Sequence, residues 1–322
     1  MTEVTSSAVS VILPVLNEER YLEKSVNSIL AQDYTGEIEV VLAIGPSKDR
    51  TLEVAQKIVQ KDSRVKIVDN PSGRTAAGLN IAIKNSKNPI IVRVDGHANI
   101  AKDYISIAVD VLNKTGAVNV GGIMAAEGQT DFECAVAGAM RSPLGVGAAK
   151  FHTGGGAGEV DTVYLGVFKR SALEAIGGFD EHFTRAQDWE MNYRLRQNGG
   201  KIFFDPRLHV TYRPRRTLGA LAKQYFEYGR WRRVVSRTHK GTINLRYLAP
   251  PLTLIGTTSS IIGGIFNPLL FIPAGVYGLF LIFASVAIGK SIKERIYLPS
   301  ILLTMHMSWG LGFITSSRRL VR

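Results

Sequence analysis

Four short apolar runs, each leading into a polar turn, recur between Val9 and Val94, at residues 9–13, 40–44, 65–68 and 90–94. Helix-length stretches separate them, over residues 18–31, 51–60 and 75–85. Apolar runs alternating with helices at this spacing specify βαβ units, and hence a parallel sheet with helices on both faces. In such sheets ligands gather outside the carboxyl ends of the strands. The polar residues just after each run are therefore the ones that matter: Asn17 and Glu18, Ser47 and Asp49, residues 69–74, and Asp95 with His97.

Residues 116–206 are less regular. Glycines at 154, 155, 156 and 158 lack a clear preceding strand and the Gly-Lys-Ser/Thr ending of a phosphate-cradling loop, so they read as a flexible connection. Gly177 and Gly178 make a turn, and a helix is expected over 188–197. At 322 residues the chain has room for one large domain with an appendage, or for two domains. Its single cysteine, Cys134, rules out an intramolecular disulfide and a cysteine-based zinc site, and reads as a buried thiol. The first ten residues carry no basic stretch leading into an apolar core. No signal peptide is expected, and the soluble part is expected to stay in the cytoplasm.

The formal charge of +12 is concentrated. Between Arg207 and Arg246 eleven Lys and Arg side chains stand against one acid, Glu227. A basic block running straight into apolar segments reads as a cytoplasmic stretch facing anionic lipid headgroups, and nucleic acid is not an expected partner. Within it, residues 217–237 space Leu218, Leu221, Tyr225, Tyr228 and Trp231 near helical periodicity. A helix lying in the membrane interface and a helix packed on the soluble part both fit. Apolar segments follow at 248–266, 269–288 and 296–315; each approaches the roughly 20 residues that span a bilayer. The basic block and the charged loop 290–295 both favour the cytoplasm, which suits two spans. A third full span would place Arg318, Arg319 and Arg322 outside, so that segment is either a span, tilted, or re-entrant. The expected organisation is a soluble domain over 1–212, a basic interfacial segment over 213–246, and a multi-pass membrane domain over 247–322.

Val11-Ile12-Leu13-Pro14-Val15-Leu16-Asn17-Glu18-Glu19 resembles the first strand and turn of family 2 glycosyltransferases, which have the GT-A fold. Asp69-Asn70-Pro71-Ser72-Gly73-Arg74-Thr75 through Asn80 is similar to that family's third turn and helix start, and Val94-Asp95-Gly96-His97 stands where it keeps an Asp-x-Asp motif. Gly177-Gly178-Phe179-Asp180 and Gln187-Asp188-Trp189-Glu190 resemble its acceptor loop and catalytic-base helix. Gln224 with Arg230-Trp231 looks like a stretched Gln-x-x-Arg-Trp motif. The resemblance covers residues 8–240 and is nearest to succinoglycan-type polyprenyl-diphosphate glycosyltransferases with a C-terminal membrane region. It implies an α/β GT-A nucleotide-diphospho-sugar transferase fold with a mostly parallel central sheet, then an interfacial helix and transmembrane helices. It also implies that Pro14, Asn17 and Glu18 contact the nucleotide, and that Gly178, Glu190, Gln224, Arg230 and Trp231 serve the acceptor or its diphosphate. One departure stands out: Ile44 occupies a position where the family usually has an aspartate against the base, so Ser47 or Asp49 would have to substitute.

The chemistry of sugar transfer asks for the same residues. A leaving diphosphate needs charge neutralisation, which a divalent cation, Mg2+ or Mn2+, held by Asp95 and diphosphate oxygens provides. His97 can ligate Mn2+ more readily than Mg2+, or donate to the diphosphate. Asp188 is the candidate general base for the attacking hydroxyl, with Glu190 in reserve, although its position also suits a helix cap. Arg74 can bind diphosphate oxygens bidentately, and Arg230 with Trp231 can serve an acceptor sugar. The expected reaction is inverting, metal-dependent transfer of a hexose from a nucleotide sugar, UDP-linked, to a polyprenyl-linked acceptor at the cytoplasmic membrane, in surface-polysaccharide or glycolipid synthesis. Transfer to polyprenyl phosphate itself and an inactive membrane-anchored scaffold are the alternatives.

Overall fold

The four N-terminal runs are strands β1 (Val9–Val15), β2 (Ile38–Ile44), β3 (Val65–Asp69) and β4 (Ile90–Arg93). They pair in parallel in the order β3–β2–β1–β4. Helices α1 (Leu22–Leu30), α2 (Thr51–Lys61) and α3 (Thr75–Lys84) make the crossovers, which return the chain to the same end of the sheet each time. Alternate residues of these strands enter two different cores. Val11, Leu13, Val40, Leu42 and Val92 join one, while Ile12, Val41, Ala43 and Ile91 join the other. Burial on both faces is why the strands read as unbroken apolar runs. The first helix starts four residues later than its sequence pattern suggests, at Leu22. The amides of Glu18 and Glu19 donate instead to Thr51 and Asp49 side chains, so the loop replaces the first helical turn.

Beyond β4 the sheet continues through β5 (Asn99–Ile100), α4 (Tyr104–Thr115) and β6 (Asn119–Ala126). The chain then passes through α5 (Asp131–Met140), α6 (Pro143–Val146) and α7 (Lys150–Thr153). It returns as β7 (Gly158–Glu159), β8 (Tyr164–Lys169), α8 (Arg170–Ala175), α9 (Gln187–Gln197) and β9 (Ile202–Tyr212). These later strands pair antiparallel, β8 against both β4 and β6, and β9 against β5 and β7. The computed structural model describes residues 7–321, and contacts divide the chain into two units. The sheet unit takes Met1–Ala125 and Gly154–Tyr212, and a helical unit takes Ala126–Thr153 and Arg213–Arg322. The excursion α5–α7 thus clusters with the C-terminal helices, a grouping that linear sequence does not suggest.

The helical unit is completed by α10 (Leu218–Thr238), α11 (Leu245–Gly264), a 3-10 turn at Pro268–Phe271, α12 (Ile272–Ile288) and α13 (Ile292–Thr315). Helix α13 runs through its middle. A Cβ on Gly229 would lie 1.9 Å from the Trp309 carbonyl and one on Gly312 would lie 2.0 Å from that of Phe226, so α10 and α13 touch backbone to backbone. On another side Phe132 meets Tyr297 edge-on at 5.6 Å, and Lys293 pairs with Asp131 at 3.0 Å. Cys134 is half-buried here rather than fully enclosed.

Of the three apolar segments, one helix among the described residues is long and apolar enough to cross a membrane: Pro268–Ile288, with mean hydropathy 2.2. The other two differ for identifiable reasons. Helix α11 carries Pro250 and Pro251 and a Thr-Thr-Ser-Ser run, and α13 carries Lys293, Glu294 and Arg295 in its first turn and Ser300, Thr304, His306 and Ser308 further on. The unit nonetheless presents large apolar side chains outward, among them Ile265, Phe266, Leu269 and Leu279 at 68–84% exposure.

Candidate active site

The site is built where β1, β2 and β4 end. After β1 the chain turns through Asn17, whose backbone is left-handed (φ 57°), a conformation that asparagine adopts more readily than most residues. Its amide donates to Ser47 Oγ at 3.0 Å, and its Oδ1 accepts from the Lys48 amide at 2.7 Å. Asp49 accepts from the amides of Glu19 and Thr51 and from the Thr51 hydroxyl. That hydroxyl is the main reason the Asp49 carboxyl titrates below the usual carboxylate range. Ser47 and Asp49 therefore lace the first two turns together. Ile44 is buried in the core. Pro14 lies under α3, 3.3 Å from where a Cβ on Gly78 would stand, and Arg74 is exposed at the start of that helix, its amide donating to Ser72 Oγ.

The turn after β4 carries Asp95 and His97. His97 Nδ1 lies 2.7 Å from Glu18 Oε1, and Gly96 leaves room for Glu18, whose Cγ an added Cβ would meet at 3.0 Å. A carboxylate on one ring nitrogen fixes the tautomer and aims the other nitrogen, the arrangement that supports metal-ligating imidazoles. Among the described residues no three His, Cys, Asp or Glu side chains converge as a complete cation site. Asp95 and His97 offer two donors, and a hard cation would need diphosphate oxygens to fill its shell.

Arg93, the last residue of β4, joins this turn to α9. Its Nη2 donates to Asp95 Oδ1 at 3.2 Å and its Nη1 donates to Asp188 Oδ1, 95 positions along the chain. Carboxylate oxygens on two arms of one guanidinium lie within roughly 7 Å of each other, so Asp95 and Asp188 border one space. Asp188 is not the helix cap that its position also suits. That place is taken by Ala186, whose backbone is left-handed (φ 60°), and Asp188 pairs with Arg93 from the first turn. Glu190 is different. It is 1% exposed and gripped by Arg194 at 2.7 and 2.8 Å, and Arg194 also donates to the Ile176 carbonyl. Its carboxylate is engaged inside the fold, tying α9 to the end of α8.

Gly178 carries φ 76°, and a Cβ there would stand 2.6 Å from Asn80 Oδ1. Glycine is needed at this point because Asn80 clamps the loop, accepting from the Phe179 amide at 2.9 Å and donating to the Phe179 carbonyl at 2.8 Å. The Phe179 ring lies 5.8 Å from the Arg93 guanidinium. Arg93, Asn80 and Phe179 were not among the residues singled out by strand-end logic. An arginine flanked by Val92 and Val94 in an apolar run was the available signal.

Gln224, Arg230 and Trp231 lie on α10, in the helical unit. Gln224 Nε2 donates to the Tyr228 hydroxyl at 2.7 Å, and Glu227 accepts from both Arg230 Nη1 and Trp231 Nε1. The indole is 5% exposed. His152, in the same unit, is pushed down to about 4 by burial and secondarily by Arg246, so it is a neutral imidazole at neutral pH.

The model of Glycosyl transferase family 2 matches residues 10–177. Succinoglycan biosynthesis protein ExoA of Rhizobium meliloti is 30% identical over 97% of the chain and 95% of its own length. A dolichyl N-acetyl-alpha-D-glucosaminyl phosphate 3-beta-D-2,3-diacetamido-2,3-dideoxy-beta-D-glucuronosyltransferase of Methanococcus voltae is 26% identical over 95% of each chain. Among solved structures, the mannosyltransferase PcManGT of Pyrobaculum calidifontis, in complex with GDP-Man and Mn2+, superposes with a TM-score of 0.62. That pair is 18% identical, over 97% of this chain and 87% of the other.

Proposed function

We propose a specific reaction for this chain, which belongs to glycosyl transferase family 2: inverting transfer of a hexose from a UDP-sugar to a polyprenyl-linked sugar. That it is a glycosyltransferase of the GT-A fold using a nucleotide-sugar donor follows from the family. The observation that carries the finer reading is the Asp95–Arg93–Asp188 bridge, which brings a diphosphate-side acid and a candidate base to one space.

In this reading Pro14, Asn17 and Glu18 line the nucleoside, and Arg74 grips diphosphate oxygens. Asp95, with His97 aimed by Glu18, holds a divalent cation, Mg2+ or Mn2+, which when bound supplies positive charge to the leaving diphosphate. Asp188 takes the proton of the acceptor hydroxyl as its oxygen attacks the anomeric carbon. The bond from that carbon to the diphosphate breaks, and its electron pair leaves with the nucleoside diphosphate. One base and one displacement give inversion. Gly178 and the clamped loop beside it border the acceptor. On α10, Gln224 and Arg230 are proposed contacts for acceptor phosphate, from their polar chemistry alone, and Trp231 is proposed to steady the helix. Glu190 is assigned to holding α9.

The acceptor is read as lipid-linked because the Methanococcus relative, by its name, acts on a dolichyl sugar phosphate. The outward apolar side chains of α11 and α12 and the basic block before them support attachment to the cytoplasmic face of a membrane. The test is transfer of labelled sugar from a panel of UDP- and GDP-sugars into lipid extract, with and without Mn2+ or Mg2+. One UDP-sugar is expected to label a diphosphate-linked disaccharide. Label in a phosphate-linked monosaccharide would transfer the assignment to a polyprenyl-phosphate sugar synthase, and label from GDP-sugars alone would overturn the donor.

A further inference from the structure

Arginine is a costly side chain to place where Arg93 stands. Ile90, Ile91, Val92 and Val94 around it are buried and apolar, and Arg93 is itself 3% exposed. Its Nε is buried without a hydrogen-bond partner. Ion pairs enclosed in this way are often no more stabilising than apolar side chains of similar volume, so stability alone is a weak reason for the residue. What the arginine does that an apolar side chain cannot is span three parts of the cleft. One arm meets Asp95, on the diphosphate side. The other meets Asp188, on the helix of the candidate base. The guanidinium carbon lies over the Phe179 ring, 5.8 Å from its centre, in the loop that Asn80 clamps.

From this we infer that Arg93 is a positioning residue for transfer: its guanidinium bridges Asp95 and Asp188 and sets the distance and angle between the departing diphosphate and the attacking hydroxyl. The inference rests on the reading of Asp188 as base. It also explains how the base is held without a cap. The first turn of α9 begins after the left-handed Ala186, whose side chain makes no capping bond; the contact that engages Asp188 is the bridge to Arg93.

Arg93→Lys separates positioning from charge, because an ammonium keeps the charge but lacks the rigid fork that engages two carboxylates at once. The expected result at saturating nucleotide sugar is a fall in kcat of about 100-fold, the scale of a misplaced reacting group. Donor KM should stay within about threefold, since uniform binding is untouched, and the thermal midpoint should match wild type. Arg93→Gln, run in parallel, keeps a planar donor that reaches one carboxylate and is expected to lose kcat to a similar degree. Wild-type kcat in either folded variant, or a rise in KM alone, would overturn the inference. So would loss of fold in both under conditions where Asp95→Asn and Asp188→Asn stay folded, which would make Arg93 a stability residue. The underlying reaction is tested separately: wild type inactive with every nucleotide sugar, or Asp188→Asn fully active, sinks the assignment of the base and not merely the role of Arg93.

Discussion

The two units bury opposite things. The sheet unit encloses its apolar side chains on both faces of the strands, and gathers charged ones where the strands end. The helical unit keeps glycine-mediated contacts inside and turns Ile265, Phe266, Leu269 and Leu279 outward. Water explains the first arrangement. Patches of the second kind are rare on soluble monomers and mark interaction sites. Under the function proposed above, chemistry falls to one unit and attachment to the other.

The comparison breaks first at Asp188. If the sheet unit holds the chemistry, Asp188→Asn should lower kcat by about 1,000-fold, within the range for a lost general base, with the fold intact by circular dichroism. A change below tenfold would remove Asp188 as the base. The second test moves to the other unit. Leu279 is 68% exposed, and Leu279→Arg should weaken sedimentation with anionic vesicles, since an arginine at the centre of a bilayer costs about 3 kcal/mol. Unchanged vesicle binding would leave the outward apolar face without its proposed role. Third, Gly229→Ala forces a Cβ against the Trp309 carbonyl, 1.9 Å away, and should lower the thermal midpoint; overpacking of this kind costs about 1–3 kcal/mol. The effect belongs to the helical unit, and a midpoint equal to wild type would mean that α10 and α13 separate easily.

The smallest effect is one of pH. Burial holds His152 at about 4 in the folded chain against 6.5 ordinarily. As pH falls through that window the unfolded chain takes up the proton first, so stability is present above pH 6.5 and is lost toward about pH 4. Urea midpoints of His152→Gln should accordingly show a flatter pH dependence than wild type across that window. Equal slopes would mean that the imidazole is solvated.

The sheet unit was legible because its signals are local. Strands buried on both faces give unbroken apolar runs, and the polar residues after them, Asn17, Ser47, Asp49 and Asp95, fall at the strand ends. What was not legible is long-range. Glu190 and Asp188 sit two residues apart and look equivalent in sequence, but half a helical turn sends one toward Arg194 and the other toward Arg93. The bridging role of Arg93 depends on a partner 95 residues away, which no local pattern encodes. Ser47 and Asp49 looked like substitutes for a base contact, and their bonds to the neighbouring turn became visible only with the two loops side by side. In the helical unit, apolar length alone suggested three spans. The prolines and hydroxyl residues of α11 and the charged and polar residues along α13 left one helix that meets the requirement.

A single displacement driven by one carboxylate is the claim on which the rest depends. The most direct measurement is the anomeric configuration of the first-formed product, read by proton NMR from an α-linked nucleotide sugar. Inversion, giving a β-linked product, is the predicted result. Retention would require a second displacement and a covalent or shielded intermediate that the pair of Asp95 and Asp188, as assigned, does not provide.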